Sequence, residues 1–168
     1  QTLGRVMDRM ARWRLPGNAE QNAMTILRNV RALPNRVTPR VLSAVLSTLY
    51  NRWTTTRRFR AAQRHTCLLC DREEDSIERY LECDITRAFA ASRLRLTFNR
   101  AQSRRLMLLL EPPPHLQGTQ DVWPRVALMH YVLYRTTNAI STVLDSHRMK
   151  FTELWRRHSA KPLEGIHP

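Results

Sequence analysis

Leu3, Val6, Met7, Met10 and Trp13 recur at the three- and four-residue intervals of one helix face, while Arg5, Arg9 and Arg12 fall on the other faces. The pattern predicts a first helix closed by Pro16-Gly17. Asn18 is placed to cap a second helix running to Leu33, with Ala23, Met24, Ile26, Leu27 and Val30 inward and Pro34 as its stop. Thr38-Pro39 sets a capping hydroxyl before a proline at the first helical position. Val41, Leu42, Val45, Leu46, Leu49, Tyr50 and Trp53 then supply a broad apolar face, which predicts a third helix.

Further along, Asp75-Ser76-Ile77-Glu78 reads as a capping box, Asp75 accepting from the first turn and Glu78 reaching back to the cap amide, and it opens a short helix ending near Cys83. A helix from about Thr86 to Phe98 buries Phe89, Leu94 and Leu96, and Ser103 caps another through Leu110. Glu111-Pro112-Pro113-Pro114 halts that helix, and a polyproline-like loop follows to Asp121. The longest helix is expected over Val122 to Asp145, with Pro124 in its first turn, and a last one over Arg148 to His158. Strand-type alternation is almost absent. The fold class expected is therefore mainly α, a small helical domain built around a zinc-knuckle-like segment. Residues 1–33 form a basic helical arm, 34–158 a helical domain containing the finger-like segment 65–84, and 159–168 a loose tail. No run approaches the roughly 18 apolar residues of a membrane span, so no membrane partner is expected.

Charge changes the picture. Twenty-eight basic residues stand against fourteen acidic ones, a net of +14, and Lys150 and Lys161 are the only lysines. Guanidinium forks grip phosphate bidentately and stack on bases, so the composition points to a polyanion. Thirteen arginines precede Cys67 and only Asp8 and Glu20 oppose them, which concentrates about +11 in the first part of the chain. Within it the stretch from Thr54 to His65 has little apolar periodicity and reads as a basic connector. Arg52, Arg57, Arg58, Arg60 and Arg64 are the expected phosphate contacts, and Phe59 a stacking platform for a base. Trp53 closes an apolar stripe and belongs to the core. Catalytic signatures are missing: there is no Gly-rich phosphate loop, nucleophile elbow or paired-aspartate segment, and the histidines are scattered. Asp71, Glu73, Glu74 and Asp75 read as solvated acids of a turn, and His130 as a core histidine. No enzyme activity is expected.

Cys67 and Cys70 have the two-residue gap of a metal half-site, and Cys83, at the end of the short helix, is the natural third ligand. Three cysteines in one stretch do not make a disulfide framework and fit a reducing, intracellular compartment. The run Asn51-Arg52-Trp53, Thr56-Arg57-Arg58-Phe59, Cys67-Leu68-Leu69-Cys70, Asp75-Ser76-Ile77-Glu78-Arg79-Tyr80 and Cys83 resembles the zinc-binding region beyond the polymerase domain of non-LTR retrotransposon reverse transcriptases, over about Leu33 to Asp145. The resemblance implies a zinc ion held by Cys67, Cys70, Cys83 and a histidine, but this chain has Arg79 at the histidine position. An arginine stays protonated and cannot ligate.

Three arrangements answer that departure. His65 could swing in as the fourth ligand, or Asp71 or Asp84 could supply an oxygen. Three cysteines could take an external ligand. Or the finger is a metal-free remnant in which Leu68, Leu69, Ile77, Tyr80 and Leu81 pack in place of the metal, with Arg79 paired to an acid such as Glu82 or Asp75, or reaching phosphate. The last is the preferred reading. The function expected is a non-catalytic, retroelement-derived RNA-binding subunit of a large ribonucleoprotein, a ribosome first and a mitochondrial one in particular, with structured RNA, ribosomal RNA above all, and neighbouring proteins as partners. Two alternatives are a nucleic-acid-binding C-terminal fragment of a reverse transcriptase polyprotein and a protein-interaction subunit of a complex without RNA.

Overall fold

Seven α-helices and one short 3-10 turn carry the computed structural model over the residues it describes, 2–55 and 66–144, with no strand among them. The protein is mainly α. Arg57, Arg58, Phe59, Arg60, Arg64 and His65 lie outside the described residues, as do the helix expected over 148–158 and the tail over 159–168.

Helix α1 (Thr2–Arg12) buries Val6 and Met10, and Trp13 follows just past its end. Arg9, read from the helical wheel as outward, is instead only 4% exposed: its guanidinium lies 4.6 Å from the Trp13 ring and 3.7 Å from the Glu78 carboxylate. Burying a guanidinium is tolerable only with such partners. Helix α2 (Ala19–Arg31) is capped as expected by Asn18, which accepts the Gln21 amide at 3.0 Å. Ala23, Ile26 and Val30 face α1 and the core, but Met24 points outward, 59% exposed, a correction to its inward assignment. In α3 (Pro39–Leu49) Pro39 opens the first turn, yet the Thr38 hydroxyl makes no cap bond.

The second half departs more from the pattern. Helix α4 (Ile77–Glu82) is capped by Ser76, whose hydroxyl accepts the Arg79 amide at 3.2 Å; Asp75 turns inward to the Tyr80 hydroxyl instead. Helix α5 (Asp84–Leu94) starts straight after Cys83 and ends earlier than expected, where Arg95 adopts a left-handed conformation at φ 51°. Helix α6 (Arg100–Met107) is capped by Asn99 in a reciprocal box with Gln102, not by Ser103, which is buried inside the helix and bonds back to the Asn99 carbonyl. After the 3-10 turn (Pro114–Leu116), α7 (Val122–Leu144) runs along α3. The buried side chains of α1 and α2 belong to the same apolar cluster as those of α3, α4, α6 and α7.

Trp53 sits in the middle of that cluster, with Tyr80 at 5.7 Å and Tyr134 edge-on at 5.8 Å. Its indole N–H donates to the Thr48 hydroxyl, which contacts His130 Nδ1 at 3.0 Å. His130 Nε2 lies 2.6 Å from the Met107 carbonyl, which can only accept, so Nε2 carries a proton. Burial pushes the His130 pKa down to about 4, partly opposed by the Met107 carbonyl. Because the folded value lies below the unfolded one, near 6.5, the resulting stability is fully present above pH 6.5 and is lost as pH falls toward 4. Going from pH 7.5 to pH 5 should cost about 2 kcal/mol at this site. Urea midpoints for the native protein and His130→Gln check this: the variant should show a shallower pH dependence, and equal slopes would remove His130 as the cause.

Candidate metal centre and basic surface

The knuckle forms because the chain reverses between Thr66 and Glu74. The Cys67 amide donates to the Glu73 carbonyl at 3.0 Å, and the Asp71 amide closes the turn onto the Cys67 carbonyl at 2.8 Å. Asp71 and Glu73 both take left-handed backbone at φ 55°, a conformation that costs side-chain-bearing residues energy, and the Thr66 hydroxyl holds the Asp71 carboxylate in place. Cys83 arrives from the other side as the N-cap of α5. The three sulfurs all lie within 4.8 Å of one another, and Cys67 and Cys83 are 4.0 Å apart. Zinc–thiolate bonds of about 2.3 Å in a tetrahedron put sulfurs roughly 3.8 Å apart. Cys67, Cys70 and Cys83 can therefore bind a metal ion with little rearrangement, and the geometry leaves open which metal.

The charge on the sulfurs is unevenly shared. The Cys67 thiol donates to Cys83, which lowers the Cys83 pKa against the opposing effect of burial, and the Thr86 and Ile85 amides at the start of α5 lower it further. The same hydrogen bond, with burial, raises Cys67.

Arg79 is 6% exposed and faces this group. Its Nη2 donates to Cys70 Sγ at 3.4 Å and its Nη1 to Glu73 Oε1 at 2.8 Å. Burial works to lower its pKa, but the Cys70 sulfur and Glu73 more than offset this and raise it. The acid beside Arg79 is thus Glu73, not Glu82 or Asp75. Glu82 is taken by Arg104 and, at 3.5 Å, by Arg100 of α6. Asp71 and Asp84 are exposed and outside the cluster, Asp84 being paired with Arg87, so neither brings an oxygen to the sulfurs. Leu69, Ile77, Tyr80 and Leu81 are buried beneath the site and Leu68 half-buried, as expected.

Tyr80 ties the knuckle to the core. Its hydroxyl donates to the buried Asp75 carboxylate and accepts the Leu68 amide at 3.4 Å; burial, then Asp75, raises its pKa. Tyr80→Phe should lower stability by about 1–3 kcal/mol, since the buried Asp75 carboxylate and the half-buried Leu68 amide lose that partner. Chemical denaturation is the check, and an unchanged midpoint would mean that water replaces the hydroxyl.

Comparison with family models, curated proteins and solved structures finds no match. Among the described residues no helix is long and apolar enough to cross a membrane.

Of the predicted phosphate contacts only Arg52 is described. It is exposed, with its guanidinium 5.6 Å from the Tyr50 ring. Across a cleft of about 240 Å³ it meets Arg5 and Arg12 of α1, two residues that sequence reasoning had placed on the basic arm without linking them to it. The signal was the polar face of α1, but nothing in the sequence says which neighbour that face meets.

Proposed function

We propose that the protein is a non-catalytic RNA-binding helical module, its basic surface organised around a three-cysteine zinc centre. The observation that carries this reading is how the acids are used. Around the finger, Glu73 pairs with Arg79 and Arg100, Glu78 with Arg9, Glu82 with Arg100 and Arg104, and Asp84 with Arg87. Arg5, Arg12, Arg14, Arg28, Arg31, Arg40 and Arg52 are exposed and have no ion pair among the described residues. The acids hold the finger together while these seven arginines face solvent, which suits a phosphate backbone. Soft thiolates favour zinc over magnesium or calcium, and the hydrogen bond from Arg79 to Cys70 would offset the negative charge of three thiolates around a divalent ion. Cys67, Cys70 and Cys83 would hold the ion in a structural role.

The RNA-binding subunit of a ribosome, in mitochondria in particular, and the nucleic-acid-binding part of a retrotransposon reverse transcriptase share this chemistry. One observation favours retroelement descent: the residue at the family's histidine position is the one that faces Cys70. The test is fluorescence anisotropy of the full chain with a labelled structured RNA at low and moderate salt, with polyglutamate as a competitor and metal content measured on the same sample. RNA binding that weakens with salt supports the module. Indifference to RNA with retained binding to polyglutamate would replace it with a protein-interaction role.

A further inference from the structure

The cleft between α1 and the turn after α3 is lined by Arg5, Asp8, Arg12, Leu49, Tyr50, Asn51 and Arg52, so three guanidinium groups face one carboxylate there. The turn that builds it is specific. Tyr50, Asn51 and Arg52 donate their amides to the carbonyls of Leu46, Thr48 and Ser47, at 2.9, 3.2 and 2.7 Å. The Leu46, Ser47 and Thr48 carbonyls at the end of α3 are thereby satisfied by main chain and do not draw in the arginines. Asn51, at φ 55°, swings the chain so that the Arg52 guanidinium returns over the Tyr50 ring. On the facing wall Arg12 Nε donates to the Asp8 carbonyl at 3.4 Å, and its two terminal nitrogens have no hydrogen-bond partner among the described residues. Three cations held close together with one counter-charge repel each other until an anion arrives.

We propose that this cleft takes a phosphodiester of an unpaired RNA strand, with Arg5, Arg12 and Arg52 on its phosphate oxygens and the adjacent base stacked on the Tyr50–Arg52 pair. The proposal rests on the RNA-binding reading and gives it an address. At about 240 Å³ the cleft is smaller than the usual small-molecule pocket, so a strand crossing it suits it better than an enclosed metabolite. A guanidinium beside an aromatic ring is a stacking platform that an unpaired base can extend and a duplexed base cannot reach.

The experiment uses the full chain and two probes, a short fluorescein-labelled oligouridine and a duplex RNA of the same length, followed by anisotropy across a salt series. The combined variant Arg5→Gln, Arg12→Gln, Arg52→Gln should weaken oligouridine binding at least tenfold and make the salt slope shallower by about 2, as three lost contacts to a single strand require. Far-ultraviolet circular dichroism should stay unchanged, because all three side chains are exposed. Tyr50→Leu should weaken the oligouridine about fivefold or more and leave the duplex unaffected. Arg93→Gln, Arg95→Gln and Arg135→Gln together, three exposed arginines at the end of α5 and on α7, are the control for charge alone. Equal losses in the control and the combined variant, or none in either, would overturn the site while the RNA-binding reading stands. A native chain that binds neither probe removes both. If polyglutamate binding falls as steeply as oligouridine binding, the cleft is a general anion site and the nucleotide assignment is wrong.

Discussion

Arg79→Gln should change zinc affinity modestly, whereas Arg79→His should raise it at least a hundredfold. The native centre offers three sulfurs and a side chain that cannot ligate. The backbone at this position is well fixed: its amide is held by the Ser76 hydroxyl at 3.2 Å, and its side chain already leaves α4 toward Cys70. A neutral imidazole needs to come only to about 2.0–2.1 Å from the ion to close the tetrahedron. A hundredfold gain corresponds to about 2.7 kcal/mol. Losing the Arg79–Glu73 pair should cost little, because the Glu73 side chain is half exposed. Competition against a chromogenic chelator measures the affinity, and cobalt substitution reports by its visible absorption whether a nitrogen has joined three sulfurs. If the histidine variant gains no more than the glutamine variant, position 79 no longer points into a ligand site and the resemblance to the retroelement finger loses its main support.

Affinity for a structured RNA should fall about a thousandfold between 50 and 200 mM salt. Each neutralised phosphate releases counterions and contributes about 0.9 to the slope of log affinity against log salt, so six contacts give a fall of that size. The seven exposed arginines between α1 and the turn after α3, Arg5, Arg12, Arg14, Arg28, Arg31, Arg40 and Arg52, have no ion pair among the described residues and are sufficient in number. Anisotropy across the salt range is the measurement. A flat response would mean that these arginines face an acidic protein through short-range contacts or remain in water, and the RNA-binding proposal would fall with it.

Local signals carried most of the fold. The 3.6-residue stripes of α1, α3 and α7, and the Asn18 cap, depend on near neighbours in the chain and were legible. Most of the misses involve polar side chains whose partners only the tertiary fold decides. Asp75 and Ser76 could each cap α4, but the Tyr80 hydroxyl claims Asp75 and leaves the cap to Ser76. Arg9 looks like a surface residue until α4 brings Glu78 to it. The three-cysteine cluster was visible from spacing alone. The Glu73 partner of Arg79 was not, because it depends on a left-handed turn that no glycine marks. Met24 lies on the apolar side of its helix but beyond the reach of the core.

Helix α1 serves two places at once. Arg5 and Arg12 line the cleft on one side, while on the other Arg9 reaches Glu78 and the Trp13 carbonyl accepts Arg104, the arginine that also holds Glu82. If the cleft and the finger act as proposed, deletion mapping from the N-terminus would weaken RNA binding and loosen the support of the metal centre in the same step, and would misassign the first seventeen residues as the home of both. Single substitutions on opposite faces of this helix would separate the two proposed roles.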